Sequence, residues 1–126
     1  LYRQSQALVF AAEEDFGMAP VESMAAGRPV ICYGRGGVLE TVRASGERPT
    51  GVYFEELTPE ALRAAVRDFV RRQHEFSVDN SLEQAEKFSL PRFQHEFAAL
   101  LDRAGFSAGM EQLPGVGKAV GMQQRC

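Results

Sequence analysis

Three short apolar runs, each followed by a stretch of helical character, constrain this chain more than any other feature. Ala7-Leu8-Val9-Phe10-Ala11-Ala12 is the first, Pro29-Val30-Ile31-Cys32-Tyr33 the second, and Val52-Tyr53-Phe54 a shorter third. Unbroken hydrophobicity of strand length marks strands buried on both faces, as in a parallel sheet covered by helices. The intervening segments carry helix punctuation. Pro20 to Ala26 reads as a short helix, with Pro20 in the first turn and Gly27 placed for a left-handed residue beyond the end. Gly34 to Gly37 is a glycine-rich turn, and Val38 to Val42 starts another helix. Thr58-Pro59-Glu60 combines a hydroxyl cap, a proline at the first position and a first-turn acid, with Leu62, Val66, Phe69 and Val70 on one face. Ser81-Leu82-Glu83-Gln84 has the form of a capping box opening a helix that includes Ala85 and Phe88. Ser89 and Pro91 open a last helix, with Phe93, Phe97, Leu100, Leu101 and Ala104 along one side and Gly105 at its end. Strand and helix in alternation predict right-handed crossovers over a parallel sheet, an α/β fold.

Only about three strands are legible, fewer than the usual 4–6 of a sheet. One edge is therefore open unless further chain covers it, and the chain opens Leu1-Tyr2-Arg3 without an initiator Met. Both observations predict part of a longer protein. From Ser107 onward the periodicity disappears among Gly109, Pro114, Gly115, Gly117 and Gly121. Residues 1–106 are thus expected to form the folded part, and 107–126 a disordered tail.

Composition removes several function classes. Net charge is -3, from 14 Lys and Arg against 17 Asp and Glu, and the basic residues are dispersed; no footprint for nucleic acid is present. No apolar run is long enough to span a bilayer, and the strand-length stretch after Arg3 and Gln4 is not expected to act as a signal peptide. Two cysteines, Cys32 inside an apolar run and Cys126 at the end, make no disulfide framework and point to a reduced, cytoplasmic protein.

The chemistry concentrates between Phe10 and Val30, where the end of a strand turns into a helix. Ligands of open parallel sheets bind at such places. Gly17 lets backbone approach a ligand, and the amides of Met18 and Ala19 should lack partners inside the helix at the positive end of its dipole. A diphosphate suits that corner. Glu14 lies before the turn and Glu22 is expected in the first helical turn. An ionised carboxylate accepts two hydroxyls at once, so the pair could hold the vicinal diols at the two ends of a nucleotide sugar. Nearby cations are scarce, with Arg28 and Arg35 the candidates.

The pattern Glu-x-Phe-Gly-x-x-x-x-Glu from Glu14 to Glu22, then Met-Ala-x-Gly-x-Pro-Val, resembles the signature of retaining glycosyltransferase family 4, the group 1 glycosyltransferases of GT-B architecture. Tyr-Gly-Arg-Gly-Gly-x-x-Glu-Thr-Val, Gly-Val-Tyr-Phe, Thr-Pro-Glu-Ala-Leu and Phe-Ser-x-x-Arg-Phe resemble the same family in the same order, covering roughly Leu1 to Phe106. The resemblance implies a Rossmann-like parallel sheet with flanking helices, part of the C-terminal, donor-binding domain of such an enzyme. It implies a nucleotide-diphosphate sugar as donor substrate, no cofactor and no metal, and transfer of a hexose with retention, in surface polysaccharide or glycolipid synthesis. Glu14 would contact the donor sugar, nearest the chemistry, and Glu22 the ribose. Phe16, Gly17, Met18 and Ala19 would meet sugar and diphosphate, with Gly36 and Gly37 lining the cleft. The family's diphosphate-binding Arg and Lys, and its N-terminal acceptor-binding domain, have no counterpart in these residues. This stretch alone is therefore expected to transfer nothing. Peripheral attachment to the inner face of the plasma membrane, through that other domain, fits the family.

Plainer roles compete for several residues. An acid at a helix start is commonly a dipole partner, which applies to Glu22 and Glu40. Glu13 and Asp15 read as a solvated rim, and three adjacent acids do not easily converge on one ion. His74 and His95 lack metal-ligand partners at suitable spacing. Phe88, Phe93 and Phe97 read as core, and Arg63, Arg67, Arg71 and Arg72 as a solvated face. Two rival functions remain. A nucleotide-sugar epimerase fragment would share the architecture, and a non-catalytic nucleotide-binding or interaction module would keep the corner without chemistry.

Overall fold

The structure is a computed structural model that describes residues 2–105, so the tail expected over 107–126 lies outside it. The described residues divide into two units, the first ending at Glu86 and the second beginning at Lys87. The first is an α/β unit of Rossmann-like form. After a 3-10 turn at Tyr2–Gln4, its elements are β1 (Leu8–Phe10), α1 (Met18–Ala25), β2 (Val30–Tyr33), α2 (Val38–Thr41), β3 (Gly51–Phe54), α3 (Pro59–Arg71), a second 3-10 turn and α4 (Val78–Glu86). Three strands form one parallel sheet in the order β1-β2-β3. Its register aligns Val9 with Ile31 and Ile31 with Val52.

Side-chain alternation along these strands builds two cores. Val30 and Cys32 point to one face, where Met24 of α1, Val38, Val42 and Ala85 of α4 complete a buried cluster; Leu8, Phe10 and Tyr53 pack against it. Ile31 and Tyr33 point to the other, with Val52, Phe54 and the α3 residues Ala65 and Phe69. Both crossover helices lie on the first face, as successive crossovers of one hand in one direction require. Each large side chain removed from water here stabilises the fold by about 1.5–3 kcal/mol, and Met24 has no exposure at all.

The chain's punctuation decides where several helices begin or end. Thr58 caps α3, its hydroxyl accepting from the Ala61 amide at 3.1 Å. Ser89 does the same for α5 (Leu90–Arg103), the described helix of the second unit, accepting from Arg92 at 3.4 Å. Gly27, at φ 79°, closes α1 as expected: its amide meets Met24 O at 2.9 Å and the Arg28 amide meets Ser23 O at 3.0 Å.

Several expectations are corrected. The first strand is half the length of its apolar run, and it is not buried on both faces: Val9 is 48% exposed. β1 is an edge strand, and α3 packs mainly on β2 and β3; Ala7 still reaches that core, but Val9 is left half exposed. Helix α4 begins at Val78, so Ser81 lies inside it; the capping hydroxyl is that of Ser77, which accepts from the Asn80 amide at 3.0 Å. That helix also stops before Phe88. On α3 the buried positions are Ala65 and Phe69, while Val66 and Val70 are exposed, because the stripe facing the sheet is narrower than the apolar set. Arg72 is not on a solvated face: it bonds Asp68, Glu75 and the Ala44 carbonyl and lies over the Phe76 ring. Phe93 and Phe97 are exposed on α5, stacked on each other at 5.8 Å between ring centres.

Candidate functional site

At the carboxyl end of β1 the chain leaves the sheet as an extended loop and turns into α1 at Gly17. That residue holds φ 75° and ψ 68°, the left-handed region, with no side chain to cap the helix. Helix α1 starts at Met18, two residues earlier than its proline suggested. Pro20 is consequently the third helical residue and contributes no N–H. The first-turn donors are the amides of Met18 and Ala19, at the positive end of an eight-residue helix. Pro20 and Gly17 are buried, whereas Phe16 and Met18 are exposed beside this corner.

The earlier start changes how Glu22 reads. It is the fifth residue of α1, one turn beyond the helix entrance, and the first turn contains no acid. A dipole-pairing role, which falls off within the first turn, therefore does not account for Glu22. Its exposed carboxylate accepts a hydrogen bond from the Tyr2 hydroxyl at 3.3 Å. Desolvation, then the charge of Glu22 and that hydrogen bond, hold the Tyr2 phenol above its ordinary range. Tyr2 was not legible as a neighbour of Glu22, since twenty positions separate the two and no motif joins them.

The turn after β2 is locked to the loop after β1. The amide of Gly37 donates to the carbonyl of Glu14 at 2.7 Å. A Cβ on Gly37 would stand 2.3 Å from Asp15 O, and one on Gly36, at φ 74°, would stand 2.6 Å from Glu14 O. Backbone lies directly against backbone here, which only glycine permits. Gly37 is buried and its amide is committed, so its part in the site is to shape the loop carrying Glu14. Gly36 is exposed beside it. Glu14 itself presents its side chain to solvent.

Charge at this end is lopsided. Glu13, Glu14, Asp15, Glu55 and Glu56 are exposed on the loops following the strands, and Arg35 is the one basic side chain on them. Arg35 lies 5.9 Å from the centre of the Tyr33 ring. Arg28, the other candidate cation, follows the far end of α1, roughly 12 Å of helix away from the amides, and donates to the Arg3 carbonyl at 2.7 Å. It cannot serve the corner. Among the described residues no group of three or more His, Cys, Asp or Glu side chains is arranged to hold a metal ion. A cavity of about 280 Å³ opens near the ends of β1 and β3, lined by Ala11, Phe54, Leu57, Thr58, Pro59 and Leu62. Its lining is nearly all apolar and shares no residue with the corner.

A family model described as glycosyl transferases group 1 matches residues 1–88. The chain belongs to that family. The match includes every residue of the corner, both glycine turns and the whole sheet of this group 1 glycosyltransferase. One relative, the alpha-1,3/1,6-mannosyltransferase ALG2 of Rhizomucor pusillus, is 30% identical over 105 residues. The aligned stretch covers 80% of this chain and 22% of that relative, so the chain spans about a fifth of the protein it matches. No helix among the described residues is long and apolar enough to cross a membrane.

Proposed function

We propose that this group 1 glycosyltransferase chain carries the donor-binding side of a retaining, metal-independent enzyme of GT-B architecture. It grips a nucleoside-diphosphate hexose while an acceptor hydroxyl attacks the anomeric carbon. A second Rossmann-like domain, outside these residues, supplies the acceptor site, and the enzyme works at the cytoplasmic face in polysaccharide or glycolipid synthesis. The mannosyl activity named for the relative supports a hexose such as mannose.

The observation that carries this reading is the Gly17 corner. Two amides at a helix entrance suit a diphosphate, and they stand between a carboxylate before the turn and one a helical turn beyond it. Glu14 takes the hydroxyls of the sugar and Glu22 those of the ribose; the hydrogen bond that Glu22 accepts from the Tyr2 hydroxyl supports a hydroxyl-accepting role for that carboxylate. Phe16, Met18, Ala19 and Gly36 surround the donor. Neither carboxylate acts as a nucleophile. Both orient the donor, and the departing diphosphate is stabilised by the amides and by positive charge. With Arg35 alone among five acids, most of that charge comes from the complementary domain.

The experiment is calorimetric titration of the full-length protein with GDP-mannose and UDP-glucose. Glu14→Ala and Glu22→Ala should each weaken the preferred donor about tenfold or more, the loss of a hydrogen bond to a charged group. Melting temperature should hardly move, since both side chains are exposed. Wild-type affinity in both variants rejects the assignment.

A further inference from the structure

Helix α2 is held in place by a side chain from the neighbouring strand. The Tyr53 hydroxyl lies 3.2 Å from the Val38 carbonyl and makes a short hydrogen bond to that of Val42. It thus spans both ends of a helix only four residues long. So short a helix closes few of its own hydrogen bonds and has no stability of its own. Its position is set by the burial of Val38 and Val42 in the core and by two outside ties: Tyr53, and Gln84, whose side-chain amide donates to Thr41 O at 2.9 Å. At its entrance, Gly36 and Gly37 press on the backbone of Glu14 to Phe16, and the Gly37 amide holds Glu14 O. A displacement of α2 therefore moves the loop that carries Glu14. The Tyr53 ring is half-buried against the core beneath α2. Desolvation first, then Cys32 and Glu55, push its hydroxyl up to about 12, so it keeps its proton at neutral pH.

We infer that Tyr53 is a positioning residue of the donor site, its hydroxyl setting the place of Glu14 through α2 and the Gly37–Glu14 hydrogen bond. This rests on the donor reading of Glu14. Tyr53 touches no donor atom; it acts on affinity by fixing where a carboxylate stands.

The test is a double-mutant cycle in the full-length protein, read by titration with GDP-mannose and UDP-glucose and by hydrogen exchange of the Gly37 amide without ligand. Tyr53→Phe keeps the ring and removes the tie. Gly37 exchange should accelerate about tenfold, and donor affinity should fall about 3–10-fold. That fall should largely vanish in the Glu14→Ala background, a coupling that general destabilisation does not produce. Additive affinity losses overturn the inference, as does unchanged Gly37 exchange. If Glu14→Ala alone leaves affinity intact while Tyr53→Phe still frees the Gly37 amide, the donor reading has failed and the positioning role with it. If Tyr53→Phe does not fold, Gln84→Met releases the same helix from its other tie. It must show the same coupling to Glu14, and additivity there is equally decisive against the role.

Discussion

The backbone amide of Gly37 donates to the carbonyl of Glu14 at 2.7 Å, joining the loop that leaves β1 to the turn that leaves β2. That bond ties together two segments more than twenty residues apart, with backbone packed against backbone at the tie. Gly37→Ala should break this junction, because the new methyl would meet Asp15 O at 2.3 Å and the carbonyl carbon of Phe16 at 2.7 Å. A destabilisation of about 1–3 kcal/mol is expected, the range for overpacking. Urea denaturation measures it, and donor affinity should fall in parallel.

The two serines near the start of α4 should behave oppositely. Ser77→Ala removes the hydroxyl that caps the Asn80 amide and should cost about 1 kcal/mol. The Ser81 hydroxyl is buried without a hydrogen-bond partner among the described residues. Ser81→Ala should therefore be neutral or slightly stabilising. Thermal melts of the two variants, side by side, settle which serine is the cap.

Adjacent arginines on α3 and just beyond it offer a second contrast. Arg72 joins Asp68, Glu75 and the Ala44 carbonyl, and its bonds hold the Asp68 carboxyl below its usual range. Arg72→Ala should cost about 1–3 kcal/mol. Arg71 also reaches Asp68, but its side chain is 77% exposed, and Arg71→Ala should stay within about 0.5 kcal/mol. Equal effects on the denaturation midpoint would remove the structural distinction drawn between them.

High pH should unfold this protein through its interior. Burial pushes the Cys32 thiol up to about 12 from 9.0, and Tyr53 rises to about 12 from 10.0. Both groups hold their protons longer folded than unfolded. Their contribution is thus complete below about pH 9 and is lost as pH climbs toward 12. A single such group gives a slope of at most about 1.4 kcal/mol per pH unit. Urea midpoints at successive pH values should fall from pH 9 upward, and Cys32→Ala should flatten the first part of that fall. Alkylation of Cys32, followed on its own peptide, should be slow in the native protein for the same reason.

Much of this fold was legible because local chemistry and tertiary structure agreed. Each apolar run became a strand, and Thr58 and Ser89 cap the helices they were expected to cap. The strand-to-helix turn at Gly17 was legible for a similar reason: a glycine follows the apolar run just where the chain takes a left-handed conformation into α1. The failures share a cause. Ser77 and Ser81 both precede plausible helix, and hydroxyl chemistry alone does not choose between them. Val9 and Val66 are as apolar as their buried neighbours, so their exposure depends on which element covers which face. The tie from Tyr2 to Glu22 spans a distance along the chain that no local pattern encodes.

The amino-acid sequence by itself determined the succession of strands and helices, the strand-to-helix corner at Gly17 and the placing of a carboxylate on either side of it. Those are consequences of side-chain volume, glycine's access to left-handed backbone and the hydrogen-bonding capacity of individual groups, all of which act within a few residues. Only the tertiary structure decided that Gly37 is spent holding Glu14, that Tyr53 braces α2, and that Arg28 lies at the wrong end of α1 to meet a phosphate. These depend on which strand pairs with which and where each helix docks, and that is settled by burial summed over the whole unit.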